Sequence, residues 1–588
     1  MRSSRSVRNT AALLTLAVSA ALGIGPNEVQ ATTLFADDFS ANTANNVVPA
    51  GWSSYVNFTK GPTATGTSTP GIFRTTGLGA GHPFYGHNWP DNGDDQGRFI
   101  AASGGGPSPS DIDLWTVTPA LAVNGSAFQV SFWTFSMSAS TAFLEVRVSN
   151  GSGVVPNNGG QPDNGLPTPL TGGVGDFTTL ALTVNPTRAT GGYPTFDGSF
   201  NPIWTQYTAI LPAGVVCNNG YVAFRSYGTN VFGQTNTYKT IALDDVQVDT
   251  IVGIDIPWAV NADGAWSTAP SWVGSTVPDG GVNNAILGTN GGAITGARIV
   301  TNDAAHAVDK LTFESPAGYT IDGAGTLLIH KIISSSGANV ISAPLAIRTC
   351  STVDVAGGSS VSVTGTLDAA GKGITKTGAG SLTIPATTLA LLNVGGGSVA
   401  ISGAGRTTVQ SLSVAAGSSL SIGSSTLAVD YTTGVSPLAD LLAAIADGRL
   451  NSPVVSASKY AIGWVDTAGT GGAAYAADDT TLLFAATLRG DFNLDKTVNF
   501  SDLLTLAANY GTASSATWYK GDADSDGAVN FNDLLLLASN YNGSVTGSFA
   551  GDWSLAQSLA PEPTTLAAVG LIGITSLKRN RRHTRSMR

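Results

Sequence analysis

Over most of this chain, apolar and polar residues alternate in short runs, the period of a half-buried strand rather than of a helix. In the first part the clearest runs are Phe128–Phe135 (FQVSFWTF), Phe143–Val148 (FLEVRV), Tyr221–Tyr227 (YVAFRSY) and Ile241–Val248 (IALDDVQV), joined by Gly-, Asn- and Pro-rich connections. They predict antiparallel strands with one buried face, and residues 32–250 suit a single β-sandwich. After residue 251 the charges thin out, Gly, Ala, Ser, Thr and Val dominate, and the apolar runs shorten to segments such as TLLIH, SLTI, SVAIS and SLSI. Each is too short to bury a face alone. Stacked in parallel they would bury one, which predicts a β-solenoid over 251–485. The steady recurrence of Val, Leu and Ile argues against a disordered linker here.

Helical period returns near the end of that region. Ser436 is placed to cap a helix, Pro437 fits its first position, and LADLLAAIAD runs to Gly448, a natural residue just past a helix end. A helix over 437–447 would cap the open end of the solenoid, where unpaired strand edges invite aggregation.

The most specific chemistry follows. Residues 491–502 (DFNLDKTVNFSD) and 522–533 (DADSDGAVNFND) repeat one twelve-residue pattern 31 positions apart, each running into a short apolar helix (LLTLAANY, LLLLASNY). Oxygen-bearing side chains recur at positions 1, 3, 5, 9 and 12, the spacing with which a tight loop surrounds a hard cation such as Ca²⁺. The first set is Asp491, Asn493, Asp495, Asn499 and Asp502 with the Thr497 carbonyl. The second is Asp522, Asp524, Asp526, Asn530 and Asp533 with the Ala528 carbonyl. A lone D-x-D-x-D is an ordinary turn; two matched copies, each followed by a helix, are not. Over roughly 488–545 the pair resembles a type I dockerin: position 12 is Asp rather than Glu, and neither loop has an entering helix. The resemblance implies two Ca²⁺ ions and a cohesin-like protein partner, with an intramolecular clamp as the alternative. Lys496 stands where such loops favour glycine, so the first site is expected to be the weaker.

Both ends look like addresses. Arg2, Arg5 and Arg8, the apolar run Ala11 to Ile24, and Val29-Gln30-Ala31 make an export signal over residues 1–31. At the other end, Pro561, Glu562 and Pro563 precede the apolar stretch Thr564 to Leu577 and a basic cluster. This order resembles the PEP-CTERM sorting signal over 561–585. It implies a short transmembrane helix that holds the chain in the membrane until an exosortase cuts it; a plain tail anchor is the alternative. Removing both ends takes away nine of 28 Lys/Arg and two of 39 Asp/Glu and leaves a net charge of −18. Such a surface repels nucleic acid and suits a calcium-rich exterior.

Two further resemblances follow from word order. Phe35-Ala36-Asp37-Asp38-Phe39-Ser40, Asp113 through Pro119 (DLWTVTP) and Leu243-Asp244-Asp245-Val246-Gln247-Val248 resemble the jelly-roll of MAM-like and cleaved-adhesin (choice-of-anchor) domains. That implies adhesion or glycan contact, and makes Asp37, Asp38, Asp244 and Asp245 candidates for a second metal site; two turn-flanking acid pairs are the plainer alternative. The loop 81–98, with His82, Phe84, Tyr85, His87 and Trp89, is either a sugar-binding rim or simple packing. Ile374 through Ile384 (ITKTGAGSLTI) resembles an autotransporter-associated β-strand repeat.

Catalytic chemistry is thin. Only four Glu occur, of which Glu145 and Glu314 lie between the two addresses, in different expected domains, whereas glycosidic cleavage needs two carboxyls facing each other. A solenoid enzyme could use clustered Asp, but Asp354 and Asp368 stand isolated. Cys217 and Cys350, the only cysteines, are expected to be unpaired and buried. The expectation is therefore a mainly β, exported, non-catalytic cell-surface protein: jelly-roll head for adhesion or a surface or matrix polysaccharide, solenoid stalk, small helical calcium module, sorting tail. The rival is a dockerin-bearing polysaccharide-degrading enzyme or accessory protein.

Overall fold

The computed structural model describes residues 32–541, apart from 38, 40–49, 60–71, 75–99, 105–110, 137–142, 152–173, 188–191, 196–202, 229–238, 289–295, 433, 456–458, 471 and 476. The proposed signal (1–31), the loop 81–98 and the sorting segment (561–585) lie outside the described residues. Among the described residues, no helix is long and apolar enough to cross a membrane. The chain divides into two compact units, 1–333 with 343–352, and 334–342 with 353–588.

The first unit opens with an antiparallel β-sandwich. One sheet runs Thr205–Leu211, Ala127–Ser136, Lys239–Ile251, Ile100–Gly104, Ile72–Arg74, with Thr33–Asp37 also paired to Lys239–Ile251. The other runs Ser53–Thr59, Asp111–Val117, Asn219–Gly228, Leu144–Ser149, Thr179–Val184, with Leu121–Ala122 on Asn219–Gly228. The period-2 runs supply the core between them: Phe128, Val130, Phe132, Val146, Val148, Val222, Phe224, Val246 and Val248 are all buried together.

Solenoid turns follow directly. Asp255–Pro257, Asn284–Leu287 and His306–Phe313 pair in parallel in one row, and Gly264–Ala265, Arg298–Thr301 and Tyr319–Asp322 in a second. Their start is sealed by three tryptophans. Trp258, Trp266 and Trp272 are at most 1% exposed, with neighbouring rings 4.9 and 5.0 Å apart. Each indole N–H finds a carbonyl (Ala262, Pro278 and Trp266 respectively), as buried indoles require.

The sandwich is fixed to these turns. Ala127, Ala213 and Val282 share a small core with Ile210 and Ile251, and a Cβ at Gly214 would sit 2.5 Å from the His330 ring. Here the expectation of two unpaired cysteines fails: Cys217 of the sandwich and Cys350 of a solenoid strand form a disulfide, Cα atoms 5.6 Å apart. Packing brings together two residues 133 positions apart, which a cysteine count cannot foresee.

In the second unit the stacking is clearest. In one row Asn339, Val361, Leu382, Val399, Leu420 and Leu450 are successive partners pointing inward. The ITKTGAGSLTI segment forms one turn, strands Gly373–Thr377 and Ser381–Pro385. Its glycines answer the stacking: Gly378 has φ +73°, and a Cβ at Gly380 would lie 2.3 Å from the Ala356 carbonyl. Lys376 is fully buried, and its ammonium donates to the carbonyls of Thr377 (2.6 Å), Gly378 (2.9 Å) and Gly396 (3.2 Å). Burial lowers its pKa, with Asp354 opposing.

Helix α1 spans Leu438–Ala446. Its N-cap is Pro437, at φ −82° and ψ 17°, and no side chain caps it. Ser436 therefore does not take the capping role expected of it, because the helix starts one residue later. Gly448 ends the helix at φ +81°, as its position suggested. α1 leads into Leu450–Asn451, the last strand of one row, while the other row is closed by the antiparallel strands Tyr460–Asp466 and Thr481–Leu488 laid on Thr426–Asp430. Closure is thus shared by a helix and a hairpin, and runs three residues past the expected boundary at 485.

By the chain-entropy account, a bridge closing so long a loop contributes up to roughly 5 kcal/mol. Reductant, or Cys217→Ser, should lower the unfolding temperature of the first unit in calorimetry. Thiol titration of denatured, unreduced protein should find no free thiol; two would contradict the pairing.

Candidate metal centre

The two acidic loops share one pattern of amide-to-carboxylate bonds. In the first, Asp491 accepts from the amides of Asp495 (3.1 Å) and Lys496 (2.8 Å), and Asp502 from those of Phe492 (2.8 Å) and Asn499 (3.0 Å). In the second, Asp522 accepts from Asp526 (3.1 Å) and Gly527 (3.0 Å), and Asp533 from Ala523 (2.7 Å) and Asn530 (2.8 Å). Position 1 thus curls the loop by holding positions 5 and 6, and position 12 closes it by holding positions 2 and 9. Helices α2 (Phe500–Asn509) and α3 (Phe531–Asn540) then start from capping boxes, Asn499 with Asp502 and Asn530 with Asp533.

These bonds leave the carboxylates crowded. Asp491, Asp502, Asp522 and Asp533 are all buried, at most 4% exposed. Burial pushes Asp491 up to about 7, with repulsion from Asp502 and Asp495 adding and bonds from Thr487 and the Lys496 amide opposing. Burial likewise pushes Asp502 and Asp522 up to about 6 and raises Asp533. Asp522, Asp524 and Asp533 each bring an oxygen within 4.8 Å of the others, the one such group among the described residues. In the first loop Asn493 replaces the position-3 acid, and no equivalent carboxylate trio forms. Hard oxygen donors, four of them carboxyls buried within two short loops, fit a calcium ion.

The backbone explains the odd residue. Positions 4 and 6 are left-handed in both loops: Leu494 (φ 60°) and Lys496 (φ 72°), Ser525 (φ 61°) and Gly527 (φ 83°). Lys496 bears the cost that glycine avoids, and its ammonium donates to the Ser424 carbonyl at 3.2 Å. Leu494 packs with Tyr475 and Tyr519 on the buried cluster of Ala428, Val465 and Leu483. Neither role was visible in the pattern.

Not every leucine of the two helices reaches the module's core. Leu503, Leu506, Leu534 and Leu537 are buried, but Leu504 is half-buried and Leu535 is 58% exposed; Phe492, Val498, Trp518, Ala523 and Val529 complete the core. Trp518 donates its indole N–H to the Asp491 carbonyl at 2.7 Å and lies where a Cβ at Gly463 would stand.

Other candidates stand apart. Thr33–Asp37 does pair with the strand carrying Asp244 and Asp245, Asp37 opposite Val246. Yet Asp37 accepts from the Phe39 amide and the Trp52 indole, both at 2.8 Å, and Asp244 from the Asp245 amide at 2.9 Å; Asp38 lies outside the described residues. Glu145 is buried against Arg147 (2.6 Å) and Arg225 (3.5 Å). Asp354 accepts from Thr377 (3.0 Å), and Asp368 pairs with Lys372 (3.1 Å). Ser267 Oγ lies 3.0 Å from His306 Nε2, and His306 Nδ1 lies 3.3 Å from Asp279, an order that sequence spacing hid. The Ser267 amide, which a hydrolytic site would aim at an oxyanion, donates to Asp303 at 3.0 Å. With Trp266 stacked on His306, the cluster ties the tryptophan plug to the stalk.

No protein-family model and no curated protein matches the chain. Solved structures similar to part of it include two cleaved adhesin domains of Lys-gingipain from Porphyromonas gingivalis. One is 19% identical, covering 37% of this chain and 97% of that one at a TM-score of 0.22. The other is 21% identical, covering 37% and 98%, also at 0.22. A xylan-binding domain from Paenibacillus barcinonensis is 11% identical, covering 38% and 97%, at 0.18. At these scores the likenesses carry no functional argument.

The raised carboxylates set a pH test. Their folded values lie above the ordinary carboxylate range, so the cation-free loops hold protons more tightly than the unfolded chain does. Their contribution to stability is complete below about pH 4 and is lost as pH rises through about 6–7. In chelator, urea unfolding followed by tryptophan fluorescence should show the module weakening across that window. Excess calcium, which competes with those protons, should reverse the slope; a pH-independent midpoint in chelator would contradict the assignment.

Proposed function

We propose that this chain is an exported, non-catalytic surface protein. Its terminal module binds two calcium ions and clamps the end of a β-solenoid stalk, and its sandwich serves as a head for adhesion or glycan contact. The observation that carries the calcium role is the repeated bonding of two buried carboxylates per loop to the same four loop amides. Asp491, Asp502, Asp522 and Asp533 would hold the ions, with Asn493, Asp495, Asn499, Asp524, Asp526 and Asn530 and the carbonyls of Thr497 and Ala528 completing the sets. The bound ion supplies the positive charge that lets the buried acids ionise together.

The clamp role is supported by the shared packing of Leu494, Trp518 and Tyr519 on the closing hairpin. A cohesin-like partner is a second reading, favoured by Phe531 and Leu535, 64% and 58% exposed one helical turn apart on α3. Export through residues 1–31, and membrane holding and exosortase cutting at Pro561, Glu562 and Pro563, complete the proposal. The rival polysaccharide-degrading role gains no support from Glu145, Asp354 or Asp368, each engaged by a neighbour.

Two measurements test this on the full chain. Calcium should raise the thermal midpoint reversibly, with Asp502→Ala and Asp533→Ala each removing part of the gain; an unchanged midpoint would refute the calcium role. A glycan array should show calcium-tolerant binding by the head without release of reducing ends. Silence on the array would leave a purely structural surface protein, and turnover of the glycan would favour the enzyme.

A further inference from the structure

We infer that the first loop is a calcium-dependent latch on the closing end of the solenoid, whereas the second loop lacks the residues that would make it one. This rests on the calcium reading of the loops. Four contacts join the first loop to solenoid strands within one compact unit. Thr487, in the closing strand Thr481–Leu488, donates its hydroxyl to the Asp491 carboxylate. Trp518 donates to the Asp491 carbonyl and sits against Gly463 in the strand Tyr460–Asp466, where a Cβ would come within 2.6 Å of the indole nitrogen. Leu494 reaches the same spot, 2.8 Å from that Cβ position, and packs with Ala428, Val465 and Leu483. Lys496 donates to Ser424, in the turn that enters Thr426–Asp430.

The second loop has Ser525 and Gly527 at the positions of Leu494 and Lys496, and Ser525 is exposed. The two loops share the backbone bonds to positions 1 and 12, so Leu494 and Lys496 are departures that serve docking; the second loop's own tie is the Ala523 carbonyl, which accepts from Arg489, just past the closing strand, at 2.7 Å and does not involve its carboxylates. Without a cation, the like charges of Asp491, Asp495 and Asp502 push the first loop apart, and the same residues pull on the closing hairpin. With a cation the loop is fixed, and the hairpin with it. Ligand binding to the closed form alone shifts the opening equilibrium by the factor 1 + [L]/Kd. The stalk end therefore loosens when calcium falls.

Hydrogen exchange on the full chain, with calcium and with chelator, tests this. Calcium should slow the amides of Thr426–Asp430 and Thr481–Leu488 roughly tenfold or more, given saturation well above Kd. Leu494→Ser with Lys496→Gly, which copies the second loop, should keep calcium protection within 491–502 but lose most of it in those strands. Thr487→Val, a milder change, should lose part of it. Asp522→Ala should leave the strand protection intact. Loops that respond to calcium beside strands that do not, or strands still protected in the double variant, would overturn the latch while leaving the calcium reading standing. Loops with no calcium response would overturn both.

Discussion

A stack of parallel strands ends in a row of unpaired amides and carbonyls, and that open edge is the constraint from which most of this structure follows. At the first end it is met by the Trp258, Trp266 and Trp272 plug and by a sandwich bonded through Cys217 and Cys350. At the last end it is met by α1 and by a hairpin that turns the sheet antiparallel. An antiparallel hairpin still presents an outer face and a free edge. Leu494, Trp518 and Tyr519 cover part of that face, so the two-loop module belongs to the closure of the stalk as much as to any outside partner.

The cost of this arrangement is electrostatic. Four buried carboxylates within two short loops are held by backbone amides, which favour the charged forms, while burial and mutual repulsion oppose them. In the cation-free loops burial and repulsion outweigh the amides, and the carboxyls are pushed up to about 6 and 7. A site of this kind couples folding to the ion, because the unfolded chain has no preformed ligand set.

Much was legible in the sequence, for physical reasons. Period-2 alternation located the sandwich strands within a few residues, since one face of each meets the other sheet. Short apolar runs with Gly turns indicated stacking, because such strands cannot bury a face singly. The loop positions 1 and 12 could be read because their oxygens recur at fixed spacing. What could not be read depended on contacts distant in the chain: the 217–350 disulfide, the burial of Lys376 under three carbonyls, the exposure of Leu535, and the docking of Leu494 on Val465. Lys496 is the sharpest case. Within its loop it is a defect at a glycine position, and only the neighbouring turn at Ser424 gives it a partner. Ser436 erred in the other direction, since a good capping residue beside Pro437 lost its place when the helix began one residue later.

If the loops are calcium sites, two ions complete this fold. Native mass spectrometry of the full chain, purified with calcium and exchanged into a volatile buffer, counts them directly. Two ions per chain are expected, one in the Asp502→Ala variant and one in Asp533→Ala. A chain that carries none, or whose count is unchanged by both substitutions, would contradict it.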